Sequence, residues 1–225
     1  YETAIRYYRK ALSLRLERKD MSSETARDYT NLSQAYIRTG NFLNALNCVD
    51  SALQIMTIQQ WYDSAGIANI YMIKGKAMQE SGRFPEAISN YHKSYNIQRK
   101  FSRKNMLDMS DLYRHFSMTM YKIEEYDSAL YYIQKCIETA IGNETQISGF
   151  ANPTYERLVK VPQLYYELAH KGSTLAKLAE KENALGPLKL AVECFQLSDR
   201  LMDIYLNLQE SETSKLLFAQ TNYHI

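Results

Sequence analysis

At 225 residues, 45% of them hydrophobic and 23% charged, the chain is long enough to bury a continuous core, and eight Gly and four Pro leave little room for disorder. A formal net charge of +2 gives no general attraction to nucleic acid or to an anionic membrane. No run of about 18 uncharged apolar residues is present to span a bilayer, and no basic-then-apolar leader opens these residues, so the expected location is the cytoplasm.

The predicted elements are copies of one unit. Ala4, Ala45, Ala87 and Ala129 recur at intervals of 41, 42 and 42 residues, and Ala184 follows after 55. Each of the first four stands three residues after an aromatic, Tyr1, Phe42, Phe84 or Tyr126, with Lys181 in that place in the fifth copy. A second small residue follows seven positions on: Ala11, Ala52, Ser94, Cys136 and Ala191. A fixed period of this size marks stacked copies of a supersecondary unit.

The first copy opens at Tyr1, the start of a second helix. In the second copy, Tyr29, Leu32, Ser33 and Tyr36 fall at i, i+3, i+4, i+7, one face of a helix that Gly40 and Asn41 stop. A second helix then opens at Phe42 with Ala45, Leu46, Val49, Ala52 and Leu53 inward. The third copy gives Tyr71, Gly75 and Met78, the stop at Gly82, then Phe84, Ala87, Ile88, Tyr91 and Ser94, with Pro85 in a first turn that tolerates a missing N–H. The fourth gives Tyr113, Phe116, Ser117 and Met120, a solvated turn at Glu124 and Glu125, then Tyr126, Ala129, Leu130, Ile133 and Cys136. Small residues recur where two helices cross closely.

Gly142, Gly149, Pro153 and Pro162 mark an inserted, ordered loop over about residues 142–162. In the fifth copy Pro187 predicts a kink or a late start of the second helix. A final helix over about residues 211–225 is expected, with Ser211 as N-cap and Leu216, Ala219 and Tyr223 on one face. It has no stop signal, so a further domain is expected beyond Ile225.

The opening aromatic, the small residue four positions on, the turn glycine, the next aromatic and the paired small residues together resemble the tetratricopeptide repeat family, over essentially the whole chain. The resemblance implies an all-α fold: a right-handed superhelical solenoid of antiparallel helix pairs, about 4.5 repeats plus a C-terminal helix, in one domain spanning 1–225. The period exceeds the family's usual length of about 34 residues, so each helix is expected to gain about a turn, similar to the repeats of kinesin light chains. Asn152-Pro153 with Leu158, Pro162, Leu164, Leu168, Lys171 and Leu175 resembles the last repeat that precedes a CHAT domain, a caspase- and separase-like protease, in bacterial proteins. Leu206, Ser211, Glu212, Ser214, Lys215, Leu217 and Ala219 resemble the segment that leads into that protease.

Catalytic and metal readings find little support. His92, His115, His170 and His224 are scattered over different repeats, with no HExxH and no Gly-rich phosphate loop. Cys48, Cys136 and Cys194 form no CxxC pair and read as reduced core residues. No catalytic residue, cofactor or metal is expected in this chain. The run Arg99, Lys100, Arg103 and Lys104 reads as a solvated turn, and Asn143-Glu144-Thr145 as a chance glycosylation sequon. Nineteen tyrosines, with doublets at Tyr7-Tyr8, Tyr131-Tyr132 and Tyr165-Tyr166, read as repeat packing rather than as a base-stacking channel.

In the family's fold the first helix of each pair lines a concave groove. A rotation of 100° per residue puts Arg27, Thr30, Gln34 and Ile37, then Asn69, Met72, Lys76 and Gln79, then Asp111, Arg114, Met118 and Tyr121, then Ala169, Ser173 and Ala176 on that face. Arg27, Thr30, Gln34, Met72, Lys76, Gln79, Arg114, Met118, Tyr121 and Ser173 are the candidate partner-binding residues, and Arg, Met and Tyr are enriched at interfaces. The set lacks the Lys/Asn combination with which chaperone-binding members of the family clamp a C-terminal carboxylate. The expected function is a scaffold that binds a protein or peptide segment, not a membrane and not nucleic acid. Two readings stay open: the non-catalytic sensing or recruiting arm of a CHAT-type protease, and the regulatory arm of a bacterial sensor kinase or transcription factor.

Overall fold

The computed structural model describes residues 1–58, 64–101, 106–142 and 150–222, without the side chains of residues 64, 101, 106–108 and 212–222. Gly149, Arg103, Lys104, the sequon at Asn143, Tyr223 and His224 lie outside the described residues. Ten α-helices are described: α1 (Glu2–Glu17), α2 (Ser23–Arg38), α3 (Phe42–Ile58), α4 (Ser64–Glu80), α5 (Phe84–Phe101), α6 (Met106–Lys122), α7 (Tyr126–Ala140), α8 (Tyr155–Leu158), α9 (Tyr165–Glu182) and α10 (Leu185–Asn222). A 3-10 turn, Pro162–Leu164, precedes α9. The chain divides into two compact units, Tyr1–Thr119 and Met120–Ile225.

The first unit is built from helix hairpins closed by one recurring turn. At the end of α2 the Asn41 N–H donates to Tyr36 O (2.9 Å) and the Gly40 N–H to Ile37 O (3.1 Å), with Gly40 at φ 74°. The end of α4 repeats this: Arg83 donates to Met78 O (2.8 Å), Gly82 to Gln79 O (3.0 Å), and Gly82 has φ 79°. This left-handed closure satisfies two of the carbonyls that a helix end leaves orphaned. The turn from α1 to α2 has the same bonds around Lys19, and Arg15 fastens it by reaching both Asp20 and Asp28 at 2.9 Å. Ser22 caps α2 by accepting from the Thr25 N–H.

The repeated alanines sit where the helices cross. Ala45 and Ala87 are 0% exposed, as are Val49, Ala52 and Tyr91 beside them. Ser94, the second small residue of its copy, donates from its hydroxyl to Ala68 O at 2.8 Å and so ties α5 to α4. Cys48, Cys136 and Cys194 are all buried thiols outside any disulfide.

In the second unit the α6 to α7 turn has the same form, with Glu125 donating to Met120 O at 3.0 Å and Glu124 in the left-handed region. Ala129, Leu130 and Ile133 are fully buried on α7. The described end of the insertion, residues 150–162, is pinned to the helices around it. Pro153, Leu158, Pro162 and Leu164 are buried, and Lys171 of α9, 0% exposed, donates to Ala151 O (3.2 Å) and Asn152 Oδ1 (2.8 Å). Asn152 Oδ1 also accepts from Cys194 Sγ of α10 at 3.3 Å.

The fifth copy differs from its expected form. Lys181 lies in the last turn of α9, Asn183 at φ 52° makes the left-handed turn, and Ala184 sits ahead of α10 instead of inside it. Ala191 and Cys194 still occupy the buried face. Pro187 falls in the first turn of α10, where no intrahelical N–H bond is owed, so no kink is needed there; the late start is present, because α10 opens at Leu185, four residues past Lys181, whereas Phe42, Phe84 and Tyr126 are themselves first residues of their helices. Ser211 is not an N-cap, because α10 runs unbroken from Leu185 to Asn222 with no Gly or Pro after Pro187.

Candidate binding face

The first helices α2, α4 and α6 of the first unit are neighbours. Helix α2 packs on α4, and α6 meets α4 where Thr119 Oγ1 donates to Gln79 Oε1 at 2.8 Å. Along each helix the repeat register, counted back from the turn residue, decides what faces out. Arg27, Asn69 and Asp111 are exposed; Gln34 is exposed, and Lys76 and Met118, its equivalents, are half-buried. Met72 and Arg114 are half-buried, whereas their equivalent Thr30 is interior at 5% exposure, its hydroxyl donating to Ala26 O at 2.7 Å.

Two of the three positions nearest the turn, Ile37 and Gln79, correct the sequence reading. Ile37 and Gln79 are each only 6% exposed, and Gln79 is consumed by an internal network, its Oε1 accepting from both Tyr91 Oη and Thr119 Oγ1 at 2.8 Å. The Thr30 hydroxyl and Gln79 Oε1 are therefore both engaged inside the protein. The exposed residue is the next one along, Arg38 on α2 and Glu80 on α4, which lies about 40° from Lys76 in helical projection where Gln79 lies about 60° the other way.

Charge gathers on this face. The Lys76 ammonium has no hydrogen-bond or ion-pair partner among the described residues. Burial, then the charge of Arg38, lowers its pKa; Arg114 acts in the same sense, while Glu80 and Asp111 oppose. Arg114 pairs with Asp111 one turn back on its own helix. Beneath them His115 stacks on Tyr91 with ring centroids 5.8 Å apart, and its Nδ1 is buried without a partner. Burial first, then Lys76, Arg114 and Arg38, pushes His115 down to about 3, so it is neutral at physiological pH and unsuited to general-base work.

In the second unit Tyr121 is half-buried, its ring edge-on to Tyr126 (5.7 Å) and His170 (5.4 Å). Burial lowers the His170 pKa to about 4. Ser173, also half-buried, donates to Ala169 O at 3.0 Å. A cleft of about 120 Å³ in the first unit is lined by Arg27, Thr30, Asn69, Ala26, Met56 and Ile70, and a second of about 310 Å³ by Leu12, Tyr29, Tyr36 and Cys48 among others. Among the described residues no group of three or more His, Cys, Asp or Glu is placed to hold a metal ion.

No family model and no curated protein matches the chain. Solved structures do. BtubC (BKLC) from P. vanneervenii superposes with a TM-score of 0.67 at 16% identity, over 87% of this chain and 70% of that one. MamA gives a TM-score of 0.55 at 15% identity, over 90% of this chain and 89% of that one. The architecture is an all-α helical repeat. No described helix is long and apolar enough to cross a membrane.

Proposed function

We propose that this chain is a protein-interaction scaffold and that the outer face of α2, α4 and α6 receives a peptide or protein segment. The observation that carries this reading is the contrast along those helices. The inner positions are buried and closed, whereas Met72, Lys76, Arg114 and Met118 form a half-buried band of mixed chemistry, with the Lys76 ammonium in no hydrogen bond or ion pair among the described residues. Such a band is apolar enough to gain from being covered and polar enough to select what covers it. The test is a photo-crosslinking residue placed at Gln34 or Met118 in the full-length protein in its own cells, with Leu43, exposed on α3, as the reference position. A discrete adduct from Gln34 and Met118 that Leu43 does not give is the expected result. Equal labelling at all three overturns the assignment.

Within this reading the chain is the recruiting arm of a CHAT-type protease in a bacterial cytoplasm, and catalysis resides outside it. Support comes from the resemblance of the last third, in which Asn152 and Lys171 are joined by a buried hydrogen bond. The regulatory arm of a sensor kinase or transcription factor is the alternative, and the complete sequence of the gene product separates the two.

A further inference from the structure

Counted from the equivalent turn residues Gly40, Gly82 and Glu124, Arg38 stands two positions before its turn, Lys76 six before and Arg114 ten before. Each step to the next first helix thus moves the cation back four residues, a little over one helical turn, and keeps it on the same face. The result is a diagonal row across three adjacent helices. A four-residue step is about 6 Å along the axis and neighbouring helices lie about 8–10 Å apart, so successive members are about 11 Å apart at the backbone. That span is covered by about three residues of extended chain.

We propose that the row Arg38, Lys76 and Arg114 is a docking site for an acidic peptide segment held extended across α2, α4 and α6, its carboxylate side chains about three residues apart. This deepens the scaffold reading and rests on it. Three cations share the patch with two carboxylates, Glu80 and Asp111, and Arg114 is already paired with Asp111. The Lys76 ammonium is half-buried and makes no hydrogen bond or ion pair among the described residues, with Glu80 and Asp111 offsetting its environment only in part, so a carboxylate brought to it removes an existing electrostatic penalty. Burial first, and then the neighbouring cations, lower the pKa values of both Lys76 and His115.

Two features favour a peptide over a nucleic acid. Glu80 and Asp111 stand among the cations and repel an unbroken line of phosphates. Met72, one turn before Lys76 on α4, and Met118, one turn after Arg114 on α6, supply adaptable apolar surface between the charges. The occupant is therefore a segment with an acidic side chain at about every third position and apolar side chains among those between.

The probe is a fluorescent peptide, blocked at both ends, with Glu at every third position and Leu and Ser between. Binding to residues 1–225 is read by anisotropy at low and high salt. Binding that weakens with salt, falls tenfold or more in Lys76→Gln and in the exposed-site variant Arg38→Gln, and returns in Lys76→Glu for the matching Lys peptide is the expected result. Circular dichroism of each variant shows that the helices are kept. Indifference to both Gln substitutions overturns the proposal, as does binding that requires a free C-terminal carboxylate, or an equally charged oligonucleotide binding as well and losing affinity in the same variants. Discrete crosslinks from Gln34 and Met118 alongside a failed peptide test leave the scaffold in place and refute only the acidic partner.

Discussion

Gly75 lies flat against the ring of Tyr91: a Cβ on Gly75 would stand 2.6 Å from Tyr91 Cδ1 and 3.1 Å from Ala87 O. In the neighbouring copies the equivalent pairs are Ser33 with Val49 and Ser117 with Ile133. The third copy thus exchanges a side chain on its first helix for a larger one on its second. The extra reach of Tyr91 places its hydroxyl on Gln79 and builds the polar network beneath the Lys76 face.

Gly75→Ala is expected to destabilise the protein by about 1–3 kcal/mol in urea unfolding, although alanine in a helix ordinarily gains about 1 kcal/mol over glycine. Tyr91 is fully buried and cannot withdraw. Gly172→Ala provides the contrast: its Cβ would meet Phe195 at 3.0 Å, but that ring is 39% exposed and free to swing, so a near-neutral effect is expected.

Ala45→Leu and Ala129→Leu each overpack a helix crossing at a site with no exposed surface. A cost of about 1–3 kcal/mol is expected from each. Unchanged thermal unfolding in both refutes the repeat register.

Glu124 occupies the left-handed turn position that glycine fills at Gly40 and Gly82. A side chain there costs roughly 1 kcal/mol, so Glu124→Gly is expected to raise stability by up to about that amount, and Glu124→Ala to leave it nearly unchanged. A rise with alanine as large as with glycine points to removal of charge, not to backbone strain.

His115 is neutral when folded, pushed down to about 3 by burial and then by Lys76, Arg114 and Arg38, whereas the unfolded chain protonates it near its ordinary value of 6.5. Between those limits the unfolded state holds more protons, so stability falls as pH falls. The expected loss from this one group between pH 6.5 and 5 is about 2 kcal/mol, and His115→Phe, which keeps a ring against Tyr91, removes it. His170 adds a similar slope, so the histidine variant retains part of the acid sensitivity.

Lys171 gives a slope in the alkaline range. Burial lowers it from 10.5 to about 8, so above pH 8 the folded state sheds a proton that the unfolded state keeps, and stability rises. From pH 7.5 to 9 the expected gain is about 1 kcal/mol, before Cys194, whose pKa burial raises, works in the opposite direction. Lys171→Met flattens that slope. An equal slope in the variant shows that another group titrates.

Helix starts at Phe42, Phe84 and Tyr126 were legible because an aromatic followed by a small residue recurs at a fixed interval, and the turns because Gly40 and Gly82 supply the backbone they need. The fifth copy was less so. Asn183 takes the turn that glycine makes at Gly40 and Gly82, a substitution that period alone does not reveal. The length of α10 had a signal, the lack of any breaker after Pro187, which a serine at 211 does not outweigh. On the candidate face the errors were Thr30, buried on α2, and the residue near the turn of α2 and of α4: Ile37 and Gln79 are interior whereas Arg38 and Glu80 are exposed, and a rotation angle fixed from the packing face loses that distinction within two turns.

The recurring turn also bears on how the chain acquires its fold. The bonds that close each hairpin join residues five or fewer apart, such as Tyr36 with Asn41 and Met78 with Arg83, and the bond that fastens α5 to α4 joins Ser94 to Ala68. Contact order within a hairpin is therefore low, and little loop entropy must be spent before native contacts repay it. A ribosome adds about 5–20 residues per second, so each pair has time to close before the next is complete. Folding can then proceed by accretion, with each finished hairpin serving as the template for its successor.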